Sequence, residues 1–305
     1  MPTFIYYVLH QEIELNHSRY QIKASIKKPA GKTGLGIVLA HGAIINRQSL
    51  IRATYSLGDY LCNQLNAYVI APDFMGETQH MEPPSMESLS EVYNFTVRYL
   101  SETYDLDTIM GFGHSMGCYI IANALHDNPD LDSLVNYGGP ISELQNHRRR
   151  GFIKYLVNYL TRFNYEVDVE NLLRYLFDKE TYRYLNEVML RETQYHSHNY
   201  DFNLQPNMFT NIQEIIDNYL NQIKAWGKPA MLLFGTGDKI TQRTLKQYED
   251  NHVEENILFR HLHGASHITP CMQHPDQLSR LYPVINFCRE IHRSKNIATV
   301  SRENQ

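Results

Sequence analysis

Ser115 stands at the centre of Gly113-His114-Ser115-Met116-Gly117. A serine alcohol is a poor nucleophile near neutral pH. It attacks a carbonyl only when a base takes its proton, and the base in turn needs a carboxylate to orient it. The glycines two residues before and two after Ser115 suit a tight strand-to-helix turn, because neither carries a Cβ to clash there. The best carboxylate is Asp238, in Gly235-Thr236-Gly237-Asp238, and the best base is His267, in Gly264-Ala265-Ser266-His267. Each follows a different predicted strand, so all three fall at one C-terminal sheet edge, where open α/β sheets build their sites. A tetrahedral intermediate also needs donors for its oxyanion. The N–H of Met116, directly after the serine, is one candidate, and the N–H of Ala43, in His41-Gly42-Ala43, is the other.

Other residues of these types admit plainer readings. His261 and His263 precede His267 and belong to the end of a strand. His41 and His114 flank the candidate site and are read as hydrogen-bonding residues of their own loops rather than proton carriers. His196-Ser197-His198 has the spacing of two metal ligands on one strand face, but no third ligand accompanies it in a recognised pattern, and a polar loop is expected. Arg148-Arg149-Arg150 could hold an anionic group, although a solvated helix start is the simpler assignment.

The elements that must position these residues alternate. Residues 4–9 and 20–27 read as an antiparallel hairpin with 16–18 between them. Strands are predicted over 36–40, 67–71, 107–112, 131–137, 230–234 and 256–262, each a short apolar run. Helices are predicted over 48–65, from about 88 to 104, over 118–125, near 241–249 and over 275–291, with Ser85 and Ser88 opening the second. Such alternation indicates a mostly parallel sheet covered by helices. Between about 141 and 226 the rhythm changes to Tyr-rich helical patterns without a clear buried strand. The last residues, 295–305, read as a polar, frayed tail.

The totals bound the function. A chain of 305 residues, 43% hydrophobic and 20% charged, fits one large α/β domain or a core with an insertion. Its formal net charge of -5 gives no general attraction to nucleic acid or anionic lipid. Four scattered cysteines, Cys62, Cys118, Cys271 and Cys288, form no C-x-x-C pair, so reduced thiols and a cytoplasmic address are expected. Residues 1–10 lack the regions of a secretory signal, and no apolar stretch reaches the length of a membrane span. The 22 tyrosines suit apolar surfaces that meet water.

Taken with His41-Gly42 before the second oxyanion donor, the chain resembles the α/β-hydrolase superfamily, in its serine-hydrolase (esterase- and lipase-like) branch with an inserted helical cap. The resemblance spans 4–291. It implies an α/β-hydrolase core over 1–140 and 228–294, a cap over 141–227 and the tail over 295–305. It also implies a nucleophile elbow at Ser115 and a Ser115–Asp238–His267 triad acting without metal or organic cofactor. The expected reaction is hydrolysis of a carboxylic ester of a small, largely apolar substrate through an acyl-enzyme. A thioesterase, an acyltransferase, or a lactone or amide hydrolase with the same triad is the alternative reading. A non-catalytic binding protein on the same fold is the reading from another class. The oligomeric state is left open.

Overall fold

The structure is a computed structural model that describes residues 8–42, 46–52, 55–74, 78–80, 84–139, 183, 212–238, 241, 253–272 and 274–303. Five short apolar runs are buried almost throughout: β3 (Leu35–Ala40), β4 (Tyr68–Pro72), β6 (Thr108–His114), β7 (Ser133–Tyr137) and β8 (Ala230–Gly235). A strand buried on both faces has no polar side to show water, which is the condition of a parallel sheet covered by helices. These strands pair in parallel, and β10 (Ile257–Leu262) extends the parallel run beyond β8. Antiparallel strands close both ends: β1 (Leu9–His17) and β2 (Tyr20–Lys28) on one side, β9 (Val253–Glu254) on the other. The order is β1-β2-β4-β3-β6-β7-β8-β10-β9, with β5 (Gln79–His80) paired to β2.

Helices cover both faces. On one side α2 (Met86–Thr103), α3 (Met116–Ala124) and α4 (Ile212–Trp226) contribute Leu89, Val92, Ile120, Ile121, Leu220 and Ile223 to one core cluster. On the other, α1 (Leu57–Leu65), α5 (Pro275–Leu278) and α6 (Tyr282–Glu303) supply Leu57, Leu61, Leu278, Val284 and Ile285 to a second. Local chemistry fixes the helix starts. Ser85 and Ser88 form a reciprocal capping box at α2, and Ser56 accepts from the Asp59 N–H at α1, satisfying N–H groups that the first turn leaves open.

Several boundaries differ from expectation. The single helix predicted over 48–65 is a 3-10 turn over Arg47–Ser49 and the separate helix α1. The cap at Ser56 starts a new helix there, and Leu50 and Ile51 are buried as parts of the connection. The hairpin pairs His17 directly with Tyr20, so β1 runs into the segment expected to be the turn and the turn itself is Ser18 and Arg19. Strand β6 continues to His114, directly before the serine. The closing helix, expected to end near 291, reaches Glu303 as α6, and Lys295, expected in a frayed tail, is anchored by its ammonium to Asp132 at 2.6 Å. The end of the predicted cap segment is α4, whose Tyr219, Leu220 and Ile223 are buried in the main core. The rest of that segment, residue 183 apart, lies outside the described residues, as do Arg148–150, His196, His198 and most of the helix predicted near 241–249.

Candidate active site

The turn between β6 and α3 places Ser115. Its φ of 54° and ψ of -117° lie outside the ordinary regions for a residue with a Cβ. Strain of that kind persists only where the surroundings impose it, and here they do. Gly117 lies so close to β3 that a Cβ on it would fall 2.1 Å from the Ala40 carbonyl oxygen. A Cβ on Gly113 would fall 2.8 Å from Cys118 Cα, and one on Gly42 would fall 3.1 Å from Ser115 Cβ. The serine N–H donates to the Tyr137 carbonyl at 2.9 Å, and the serine carbonyl accepts from Cys118 N–H at 3.0 Å. Its hydroxyl makes no capping bond to α3. Met116 opens that helix, and N–H groups of a first turn have no intrahelical acceptor. Ala43, the other expected oxyanion donor, lies outside the described residues, but Gly42 beside it packs against the serine.

Asp238 and His267, far apart in sequence, meet. The His267 Nδ1–H donates to Asp238 Oδ2 at 2.8 Å, with Asp238 fully buried and His267 3% exposed. The carboxylate only accepts, so Nδ1 carries the proton and Nε2 keeps its lone pair. Asp238 Oδ1 accepts from the Thr241 N–H at 3.3 Å, and Asp238 N–H donates to Gly235 at 3.0 Å, which closes a turn directly after β8. Gly138, at the end of β7, has a φ of 69°, and a Cβ on it would fall 3.0 Å from His267 Nδ1 and 3.4 Å from Asp238 Oδ2. Three strand ends therefore converge on this pair. Of the rival histidines, His261 sits within β10 and His263 on an exposed turn.

The loop carrying His267 is tied down on several sides. Tyr137 O–H donates to the Ser266 carbonyl at 2.6 Å, and Ser266 N–H donates to Thr269 Oγ1 at 2.9 Å. Gly237 N–H donates to the Ala265 carbonyl at 2.9 Å. His114 Nε2–H donates to the His267 carbonyl at 2.8 Å. His41 hydrogen-bonds beside its own loop as expected, whereas His114 lies in β6 rather than a loop and bonds across to the loop of His267. His41 Nδ1–H donates to the Gly42 carbonyl at 2.9 Å, and its Nε2 accepts from Phe74 N–H at 3.1 Å.

Behind His41 lies an ionic group that sequence reasoning missed, with Arg47 and Asp73 buried and Glu12 half exposed. Arg47, 4% exposed, donates from Nη2 to Glu12 at 2.8 Å and from Nε to Ser25 Oγ at 3.0 Å, while its Nη1 lies 3.5 Å from Asp73 Oδ2. Asp73 follows β4 and lies 3.2 Å from His41 Nε2. Burial raises the Glu12 carboxyl, but hydrogen bonds from Arg47 and Ser25 hold it below its ordinary value. Asp73 is in a turn at the C-terminal sheet edge, like Asp238, and that shared placement was the available signal. Among the described residues no cluster of three His, Cys, Asp or Glu could hold a metal, and no helix is long and apolar enough to cross a membrane.

A serine at the strand-to-helix turn, with an Asp–His pair on later strand ends, is the site plan of an α/β-hydrolase. The family model Hydrolase_4, described as serine aminopeptidase, S33, matches residues 37–269, and the chain belongs to that family. Solved structures agree on the fold. A thermophilic esterase from Thermogutta terrifontis superposes with a TM-score of 0.67 at 19% identity, over 92% of this chain and 99% of that one. Epoxide hydrolase A from Mycobacterium thermoresistibile gives 0.57 at 16%, over 92% and 98%. An esterase from Pyrococcus furiosus gives 0.57 at 15%, over 93% of each chain. A comparison with curated protein sequences finds no match.

Proposed function

We propose that this hydrolase cleaves the carboxylic ester of a small, largely apolar substrate through an acyl-enzyme on Ser115. The observation that carries the reading is the Asp238–His267 hydrogen bond, which fixes the tautomer a general base requires. In this mechanism His267 Nε2 takes the Ser115 proton as Oγ bonds to the carbonyl carbon. The N–H groups of Met116 and Ala43 stabilise the oxyanion. Asp238 holds the imidazolium in place, and His267 then returns the proton to the departing alcohol. Water enters by the same route, giving its proton to His267 as it attacks the acyl carbon; the acyl–Oγ bond then breaks, His267 passes that proton to Ser115 Oγ, and the acid leaves.

Gly138, where β7 ends, lies beside His267, and in this reading the chain between it and α4 forms the cap that excludes water and selects the substrate. Four free, buried thiols support a reducing, cytoplasmic setting. The peptidase description of the matching family favours a second reading, cleavage of an amide at the same site.

The test is turnover of p-nitrophenyl esters of increasing acyl length beside matched aminoacyl p-nitroanilides, with Ser115→Ala as control. Ester turnover that Ser115→Ala lowers by roughly 10³-fold or more supports the proposal. Turnover confined to the anilides selects the peptidase reading. Ester turnover that survives in Ser115→Ala refutes the nucleophile assignment.

A further inference from the structure

His114 is spent on neither the nucleophile nor the acid–base pair, yet it touches both halves of the site. Its main chain is bonded to Ser115. Its ring reaches a residue 153 positions later, donating from Nε2 to the His267 main-chain carbonyl at 2.8 Å. That carbonyl can only accept, so the ring's hydrogen is on Nε2, leaving Nδ1 as an acceptor 3.8 Å from Cys271 Sγ. We propose that His114 is a positioning residue: its Nε2–H fixes the backbone of the general base to the elbow that carries the nucleophile, and so sets the separation of the two reacting groups. The proposal rests on the triad reading above.

The surroundings support a neutral strut rather than a proton carrier. His114 is 2% exposed. Its ring faces the His267 ring at 5.2 Å and the Tyr137 ring at 6.2 Å between centroids. Among the described residues, His41, Asp238 and Cys271 are further titratable neighbours. Burial, helped by the adjacent His267 and His41, depresses its pKa to about 3, against smaller opposing effects of the carbonyl bond and Asp238. During turnover His267 becomes an imidazolium, and a second charged ring at this distance would oppose it. A neutral ring that donates from Nε2 holds the base without that repulsion. The neighbouring tie, Tyr137 O–H to the Ser266 carbonyl at 2.6 Å, grips the preceding peptide, so loss of the His114 bond frees the base's own peptide to shift rather than unfolding its loop.

The experiment compares His114→Leu, which removes the donor, with His114→Gln, whose amide nitrogen reaches nearly as far as Nε2, and His114→Asn, whose amide does not. Labelling of Ser115 by a fluorophosphonate and kcat and KM on an ester are read with the melting temperature. We expect Leu and Asn to lower both the labelling rate and kcat by roughly 10- to 100-fold, with KM little changed, and Gln to recover most of the loss. A ring-nitrogen NMR spectrum of the unaltered protein should show His114 neutral with its proton on Nε2 between pH 5 and 8. If Leu does not fold, Asn against Gln decides the matter. Leu or Asn with unchanged labelling, Gln no better than Asn at equal stability, or a proton on Nδ1 alone overturns the proposal by itself. A protein whose Ser115 is not labelled at all overturns the hydrolytic mechanism, and this proposal with it.

Discussion

The tightest packing in the site is between α3 and β3, and Gly117→Ala probes it. The new Cβ would lie 2.1 Å from the Ala40 carbonyl oxygen, 2.5 Å from its carbon and 3.0 Å from its Cβ, well inside the 3.4 Å at which ordinary contact begins. None of these atoms belongs to a flexible side chain. Ala40 is held in β3 against Gly113 of β6, so the helix must retreat from the sheet. Overpacking in a close-packed interior costs about 1–3 kcal/mol, and a clash with main chain belongs at the upper end. Alanine returns about 1 kcal/mol of helix propensity over glycine. The net loss is about 2 kcal/mol, a fall in melting temperature of roughly 4–8 °C at the sensitivity of large domains. The retreating turn carries Ser115, two residues upstream, and a displacement near 1 Å costs up to about 10²-fold in rate. Gly227→Ala is the control: its φ is 73° but nothing lies within 4 Å of the added Cβ. Left-handed backbone costs an alanine there about 1–2 kcal/mol, with turnover untouched. Thermal melts and ester turnover on the same preparations decide. Gly117→Ala with an unchanged melting temperature and full activity would refute the packing argument.

Further outcomes follow from the same geometry. Because Ser115 has a φ of 54°, Ser115→Gly should be more stable than Ser115→Ala by about 1 kcal/mol or more, the reverse of the usual order, and both should lack turnover; equal denaturant midpoints would argue against strain at the elbow. His114 titrates near 3 when folded, below the ordinary histidine value of 6.5, so the unfolded chain binds a proton that the folded one does not. Its contribution to stability is complete above pH 6.5 and is lost as pH falls toward 3. In His114→Gln the loss of stability between those limits should be shallower, as read by urea midpoints at pH 7 and 4.5; parallel curves would count against a neutral buried ring. Burial pushes the thiols of Cys62, Cys271 and Cys288 up to about 12, and that of Cys118 upward also. A thiol reagent at pH 8 should therefore modify none of the four until the protein unfolds, and rapid labelling of native protein would contradict their placement.

The parts legible in the sequence share a local cause. Buried parallel strands must be apolar on both faces, so β3, β6, β7 and β8 announce themselves as short apolar runs. The elbow is equally local: Gly113 and Gly117 sit where a Cβ would strike Cys118 and Ala40, a requirement that glycine alone meets. The Ser85 and Ser88 box likewise follows from residues three apart. Where local rules compete, spacing alone misplaces the element. The leucine spacing over 48–65 suited one helix, but Ser56 restarts it, and burial of Leu50 and Ile51 satisfies the same pattern without helix. Helix α4 has the amphipathic pattern of an excursion, yet its Tyr219 is held in the core by a 2.7 Å bond from Asn136, a partner that no local rule names.

Sequence by itself determined the class of the sheet, the turn that presents Ser115 and the identities of Asp238 and His267 as candidates, because each depends on residue type within a few positions. Only the tertiary structure decided that Asp238 and His267 bond, that His114 reaches the base's backbone, and that Arg47, Glu12 and Asp73 meet behind His41. Those pairings join residues on different strands of one sheet and in the loops that follow them. The order and register of strands, set by the packing of whole elements, bring them together, and nothing in the spacing along the chain encodes that distance.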